Sequence, residues 1–562
     1  MATIVKKNIK GHAYYYAVQT GWVEGRSRVI WQKYLGKAED IVAKLEGLGA
    51  EPYTARVFCF GAVAALYQVA ADLGVVAIID QFAPKRNQGP SVGEYMLIAA
   101  INRAVAPKSK RQIGEWYGQT SLSRWLKARP EHLSSQRFWD HMSYLDREEI
   151  RRIEAELTRA MVGRYSLDLR SLVYDTTNFF TWIDTATEAE LPQRGHNKQK
   201  RNDLRQVGLA LMVTMDFAIP LFHQVYPGNQ PDVAQFESVV DELVERYKTL
   251  AGECLDVTVI LDKGNNSRDN VARLSEALGF VGSLVPSQHP DLLAVPRSEF
   301  RPLEGPEFGG VLAYRTRKEV FGKLFTVVVT YNEALFLGQM QGLVLALRKA
   351  NQGLRELKRR LDERYSRSRP RGKPPTVAAV RAQVRKILRK PLDQMVKWQV
   401  REEGGRVILE YEIDHEARDA YVEKYFGKNI LFTNREEWTT EQIVLGYRGQ
   451  GCIEASIKTM KDHHFIGWSP MYHWTDQKIR VHAFYCVLAL TLTSLLRRRL
   501  ALAGLDMSIP AILEQLGGIY EVAHIYPPQA RRKDTFTLSD MNEVQRKLAQ
   551  TLNLEAMHRL AS

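Results

Sequence analysis

Val257-Thr-Val-Ile-Leu-Asp262 is a short run of apolar and β-branched residues closed by a carboxylate. It has no 3.6-residue period, so it reads as a buried strand. The acid behind it stands at the rim of a sheet, where α/β proteins place their sites. Working backwards, Ser171-Leu-Val-Tyr runs into Asp175 in the same way, Gly208 to Thr214 and Pro220 to Tyr226 read as two further strands, and Val233 to Leu250 reads as a helix. Working forwards, Phe280 to Val285 supplies a fifth strand. Three strands, then a crossover helix and two more strands, imply a mixed five-stranded sheet with flanking helices, the α/β core of a multidomain chain.

The rest of the chain frames that core. Residues 1–48 contain two β-rich runs, His12 to Gln19 and Arg28 to Leu35, joined by the turn-rich Val23-Glu-Gly-Arg-Ser, and read as a small β-hairpin module. From 49 to 165 the apolar spacing turns helical, with Ser91-Val-Gly-Glu opening one helix and Arg151 to Tyr165 forming another, which predicts an all-helical domain. The core's first part covers 166–290, and a large α+β insertion, 291–438, interrupts it. Inside that insertion, strands at Leu324 to Thr330 and Val407 to Tyr411 surround the stretch Arg348 to Lys373, with eleven basic side chains against three acids. The stretch is either a solvated helix with a tether or an arm that tracks phosphates, and spacing alone does not choose. Helix returns over 439–500, first from Thr439 to Lys461 and then in the apolar run Gln477 to Leu500. Residues 501–562, with Arg531-Arg-Lys533, read as a C-terminal helical segment for which dimerisation is one expectation.

Composition narrows the classes of function. The 562 residues are 45% hydrophobic and 25% charged, as in a folded protein of three or more domains, and the net charge of +14 favours a polyanionic partner, nucleic acid or an acidic membrane surface. A membrane span needs about 20 nearly uninterrupted apolar residues. Val57 to Phe82 is broken by Gln68, Asp72 and Asp80, and Ala483 to Leu496 is shorter, so both read as buried helices, with His482 a core histidine. The start, Met-Ala-Thr-Ile-Val-Lys-Lys, carries no secretion signal, and Cys59, Cys254, Cys452 and Cys486 form no Cys-x-x-Cys pair, so a reducing cytoplasm is expected.

No phosphate-binding Gly-x4-Gly-Lys, no Gly-x-Gly-x-x-Gly, no Gly-x-Ser-x-Gly and no His-Glu-x-x-His occurs, which removes the usual support for nucleotide hydrolysis, dinucleotide redox chemistry, serine hydrolysis and zinc proteolysis. What remains is carboxylate chemistry. Each strand-end aspartate alone is more often a turn or cap residue. On one continuous helix, Tyr447, Glu454, Lys458 and Lys461 would share a face, and alone that stripe reads as an ordinary surface ion pair. Joined, Asp175, Asp262 and Glu454 describe an acidic cluster with a basic border. It suits two hard divalent cations, Mg²⁺ with Mn²⁺ as a substitute, and phosphodiester cleavage.

Tyr447-Arg-Gly-Gln450-Gly-Cys-Ile-Glu454-Ala-Ser-Ile-Lys458-Thr-Met-Lys461 resembles the Tyr-x2-Arg-x3-Glu-x6-Lys pattern of bacterial insertion-sequence DDE transposases, with Gln450 in place of the arginine and Arg448 two residues away. Asp175-Thr-Thr, Gly195-His-Asn to Gln206, Tyr226-Pro-Gly-Asn229 and Leu261-Asp262-Lys-Gly-Asn265 also resemble that family, as does Arg103 with Pro107 to Trp116, so that the resemblance covers roughly residues 10 to 500. The intervals fit: 87 residues separate Asp175 from Asp262, and 192 separate Asp262 from Glu454.

The resemblance implies an RNase H-like core in which Asp175, Asp262 and Glu454 hold the metal ions. Tyr447, Arg448, Gln450, Lys458 and Lys461 then border the DNA, while Lys198 and Arg201 grip the backbone beside the site. Trp438, or Trp398, is the candidate for stacking on a displaced base, although packing is the commoner role of such a residue. The implied protein is a cut-and-paste enzyme that binds double-stranded DNA, both terminal inverted repeats and target, as a homodimer. It uses no nucleotide cofactor and no membrane, and works in the bacterial cytoplasm at the nucleoid. Two alternatives stay open: a DNA-binding transposase relic that no longer cuts, for which Gln450 speaks, and an RNase H-like nuclease without strand transfer.

Overall fold

The computed structural model describes residues 2–23, 25–48, 54–86, 88–183, 187–197, 201–231, 236, 239–242, 245, 257–366, 373–462, 464–468, 471–526 and 533–561. Two compact units form, one from Met1–Ser166, Phe179–Glu190 and Lys458–Ser562, the other from Leu167–Asn178 and Leu191–Ile457.

The first unit begins with strands β1 (Ala2–Ile9), β2 (His12–Val23) and β3 (Arg26–Gly36), an antiparallel sheet in that order, followed by helix Ala38–Leu48. The expected hairpin is therefore two of three strands. Strand β1 escaped because Lys6-Lys7 breaks its apolar alternation. Strand β4 (Thr54–Cys59) precedes helices Gly61–Leu73, Val75–Phe82, Val92–Val105 and Arg147–Tyr165. Ser91 with Glu94, and Asp146 with Glu149, close the last two helices as capping boxes. Gly74, at φ 71°, turns the chain between the first two in a conformation that costs glycine nothing.

The second unit holds the five expected strands: β5 (Ser171–Thr181), β6 (Arg205–Thr214), β7 (Pro220–Pro227), β8 (Thr258–Leu261) and β9 (Gly279–Leu284). They stand in the order β7-β6-β5-β8-β9, with β6 and β7 antiparallel and β8 parallel to both β5 and β9. Every residue of β8 is buried, as in a central parallel strand covered on both faces. The helix expected over 233–250 lies largely outside the described residues.

The sheet continues past its fifth strand. Strands β10 (Arg301–Pro302), β11 (Val311–Val320) and β12 (Lys323–Asn332) come next in the chain, and after a hairpin of β13 (Val396–Glu403) and β14 (Arg406–Ile413) comes β15 (Lys428–Thr433). Leu284 of β9 pairs with Ile430, and β15 pairs with β12, so the sheet has nine strands in the order β10-β11-β12-β15-β9-β8-β5-β6-β7. Both the expected five-stranded sheet and the single insertion over 291–438 are corrected by these pairings. What leaves the sheet is only the body between β12 and β15: helices Glu333–Tyr365, Val377–Ile387 and His415–Tyr425 with the β13–β14 hairpin. It has its own core, including Leu354, Val384, Met395 and Leu409. At its base the Asn332 N–H donates to the Gly427 carbonyl at 2.8 Å. The basic stretch lies on the Glu333–Tyr365 helix as far as residue 365, while 367–372 lie outside the described residues.

Back in the first unit, β16 (Tyr520–Ile525) and β17 (Thr535–Leu538) join β4 in the order β17-β16-β4, so neither 49–165 nor 501–562 is wholly helical. Glu521 on β16 is fully buried and accepts from Ser121 Oγ at 2.9 Å and Arg124 Nη1 at 2.8 Å, with His558 Nε2 at 3.3 Å. Helix Asp476–Leu502 is long and apolar enough to cross a membrane, and nearly all of its apolar window is buried inside the protein. On it His482 is buried as expected, and a polar chain runs from Lys110 Nζ to the Tyr485 hydroxyl (2.8 Å), on to His482 Nδ1, and from His482 Nε2 to the Trp468 carbonyl (3.0 Å).

Candidate active site

Asp175 and Asp262 owe their placement to one parallel register. Val173 pairs with Ile260 across β5 and β8, and each aspartate follows two residues later, on the same face by the alternation of strands. Both carboxylates are half-buried, but only Asp262 follows its strand; β5 runs on to Thr181, so Asp175 lies within its strand and not at the strand end that the sequence suggested. Asp175 Oδ1 accepts from the Thr176 N–H at 2.7 Å. Asp262 caps the short helical turn Lys263–Asn265 in position but accepts no capping bond from it, which leaves its oxygens to other partners.

Those partners are Tyr447 and Ser283. The Tyr447 hydroxyl donates to Ser283 Oγ at 2.8 Å and lies 3.4 Å from Asp262 Oδ1, which Ser283 Oγ also approaches at 3.4 Å. Burial raises the Tyr447 phenol most. The Ser283 bond opposes that rise, the charges of Asp262 and Glu454 add to it, and the result is about 12. Tyr447 therefore remains a protonated donor at any ordinary pH. Ser283 had no signal in the sequence beyond its place near the end of an apolar strand, and its carbonyl is held in turn by Asn266 Nδ2 at 2.7 Å.

The helix expected from Thr439 to Lys461 is two helices, Thr440–Arg448 and Gln450–Lys461, parted at Gly449. Gly449 itself keeps right-handed helical dihedrals, φ -57° and ψ -19°, and its N–H still donates to the Leu445 carbonyl at 3.2 Å. Within the second helix the stripe stands as expected: Ile453, Ile457 and Met460 are buried, while Glu454, Lys458 and Lys461 are exposed. Oxygen donors alone suit a hard cation, and the adjacent Asp175 and Asp262 fit that chemistry. Among the described residues, however, no three His, Cys, Asp or Glu side chains stand close enough together to hold a metal ion. Glu454 is thus in the neighbourhood of the pair without closing the set.

The bordering residues divide. Arg448 does not fill the place of the missing arginine, because its guanidinium donates to the Glu307 carbonyl at 2.6 Å and lies 5.2 Å from the Phe308 ring centre. Gln450 is half-buried at the start of the second helix. Lys461 stands over the Phe179 ring at 5.5 Å. Arg201 makes a two-pronged pair with Asp203, at 2.8 and 2.7 Å, and this guanidinium holds the Asp203 carboxyl down at about 2. Lys198 lies outside the described residues. Trp438 is half-buried, with its ring 3.2 Å from where a Cβ on Gly446 would stand, and Trp398 packs on the core of the inserted body.

Two stretches singled out separately in the sequence meet. The Gln206 amide donates to the carbonyls of Gly228 (2.7 Å) and His196 (3.0 Å), and Gly195 and Gly228 approach so closely that a Cβ on Gly195 would fall 2.3 Å from the Gly228 oxygen. Asn197 ties the loop across itself, bonding the Gly195 and Arg201 carbonyls and the Arg201 N–H. In the inserted body a cavity of about 710 Å³ is lined by Lys349, Lys386, Arg389 and Lys390, with no acid in its wall.

No protein-family profile matches the sequence, and no curated protein does. Solved structures to which the fold is similar include a piggyBac transposase synaptic complex with hairpin DNA, at 10% identity and a TM-score of 0.38, over 88% of this chain and 85% of that one. A Mos1 transposase paired-end complex with the left transposon end is matched at 14% identity and a TM-score of 0.15, over 37% of this chain and 63% of that one.

Proposed function

We propose that the protein is a DDE-type DNA transposase, with β5 to β9 as an RNase H-like core and Asp175, Asp262 and Glu454 as its three acids. The observation that carries this reading is the placement of Asp175, within β5, beside Asp262, just past the end of the adjacent parallel strand β8, with a half-buried, protonated Tyr447 between Asp262 and the helix of Glu454. The substrate in this reading is double-stranded DNA, the terminal inverted repeats and the target, handled by a homodimer in the bacterial cytoplasm.

Asp175, Asp262 and Glu454 would hold two Mg²⁺ ions, or Mn²⁺ in their place. Such ions supply water activation and charge neutralisation at a phosphodiester. The chain's own share is positional. Ser283 donates to the Asp262 carboxylate and Tyr447 donates to Ser283 beside it, Lys458 and Lys461 would offer cations to a neighbouring phosphate, and Glu454 would complete the ligand set. Strand transfer follows if the 3′-hydroxyl freed by hydrolysis is held at the same carboxylates.

A non-catalytic DNA-binding protein is the second reading, favoured by one observation: Arg448 is engaged at Glu307 and Phe308, so no arginine stands where the family pattern has one. The deciding experiment incubates the protein and its Glu454→Gln variant with a plasmid carrying the gene and its native flanks, with Mg²⁺ or with chelator. Metal-dependent breaks at both borders that vanish in the variant are expected. Binding without breaks supports the second reading, and breaks without joining support a nuclease.

A further inference from the structure

The three-stranded sheet at the amino end has one face on which, among the described residues, several large and basic side chains stand exposed. The register places Ile4 opposite Ala17 opposite Lys33, Ala2 opposite Gln19 opposite Trp31, and Lys6 opposite Tyr15, so these side chains share a face. The reverse face has its own partners. Lys7 donates to Gln32 at 3.2 Å and lies over the Tyr16 ring at 4.8 Å, Tyr34 packs on Tyr14 and Tyr16, and Val18 is buried. On the first face Ile4 is 62% and Trp31 47% exposed, and Lys6, Gln19 and Lys33 are exposed with them, around the half-buried Tyr15 and Ala17. Residues 1 to 37 carry seven basic side chains and one acid, Glu24.

We propose that this face, with Lys6, Lys33, Gln19, Trp31 and Ile4, docks on duplex DNA. The partner rests on the DNA reading above, while the site does not depend on catalysis. The chemistry selects DNA over a second copy of the chain, because two such faces would bring lysines against lysines with no acid to meet them. Three strands span two inter-strand gaps, about 10 Å, which suits a major groove about 12 Å wide. Lys6 and Lys33, on the outer strands, reach the phosphates of the two walls. Trp31 and Ile4 offer apolar surface to sugars and thymine methyls, and Gln19 on the middle strand faces base edges.

The test uses the full chain and a labelled duplex, with affinity measured across a salt series. Lys6→Gln with Lys33→Gln is expected to weaken binding at least about tenfold and to flatten the slope of log affinity against log salt by about 1.8, about 0.9 for each lost phosphate contact. Trp31→Ala weakens binding without changing the slope, and Lys7→Gln, on the reverse face, changes neither. An unchanged slope in the double variant overturns the proposal, as does an equal loss from Lys7→Gln. So does a double variant that loses binding only to phosphatidylserine vesicles, or that changes only its self-association by light scattering. If border cleavage is absent while the double variant still loses its salt slope, the transposase reading fails and the docking surface stands.

Discussion

Tyr447 and Asp262, 185 positions apart in the chain, stand 3.4 Å apart across the rim of the sheet, with Ser283 touching both. Tyr447→Phe keeps the ring and removes the donor. Hydrogen bonds to charged groups contribute about 1.5–3 kcal/mol, so the rate of border cleavage should fall about 10- to 100-fold, with the melting temperature changing little. Because the phenol is pushed up to about 12, the cleavage rate should show no tyrosine ionisation below about pH 11, which a pH–rate profile would read directly. A limb near pH 10 that disappears in the Phe variant would refute this assignment.

Gly228→Ala should act through the backbone. The new Cβ would stand 2.0 Å from the Gln206 carbonyl oxygen, which cannot swing aside as a side-chain tip can. A loss of about 1–3 kcal/mol is expected, read as a lower urea midpoint at unchanged m value.

The first unit should lose stability in acid. Burial, then the charges of Lys110, Arg103 and Lys478, lower the His473 imidazole to about 3, and the same burial keeps His482 well below its usual value. Between about pH 6.5 and pH 3 the unfolded chain therefore takes up protons that the folded chain refuses, and stability falls as pH falls. At pH 4.5, about two units below the free value, His473 alone should cost about 2–3 kcal/mol. His473→Gln should flatten the fall of melting temperature between pH 7 and pH 4.5, and an unchanged curve would count against a neutral buried His473.

Glu521→Ala should unfasten two distant segments from β16 at once, the turn of Ser121 and Arg124 and the helix of His558. The carboxylate meets Ser121, Arg124 and His558, and its removal leaves the mostly buried Arg124 guanidinium without its acid. Breaking a buried pair from one side costs about 3–5 kcal/mol. Calorimetry should show that loss, and hydrogen exchange should show early opening of the β17-β16-β4 sheet.

The parts legible in the sequence are those written in consecutive residues. Val257 to Leu261 and Ser171 to Tyr174 announced strands through their β-branched, unbroken apolar character, and the acid after the first stands at its strand end, whereas β5 continues through Asp175 to Thr181 because Thr176 to Thr181 keep strand character that the acid concealed. The capping box of Ser91 is likewise local, whereas the one of Asp146, which starts its helix at Arg147 rather than Arg151, went unread. The ninth-strand sheet was hidden because the step that extends it, Leu284 beside Ile430, joins residues far apart along the chain, and nothing in either strand names its partner. Spacing put Arg448 two residues from the missing arginine's place but could not say what it binds, because the Glu307 carbonyl that accepts from it comes from a segment 141 positions away. Ser283 shows the same limit from the other side, a small polar residue whose role comes wholly from two neighbours brought by other elements.

The hydrogen bond from Asn332 to Gly427 marks where the chain leaves the sheet and where it returns. Entry and exit lie one residue pair apart, on strands that are already neighbours, so everything from 333 to 426 hangs from a doorway no wider than a hairpin turn. A short turn could close that doorway with every pairing between β12 and β15 intact. The body is therefore a detachable part in the evolutionary sense: lineages could acquire, exchange or shed it without renegotiating the register that sets Asp175 beside Asp262.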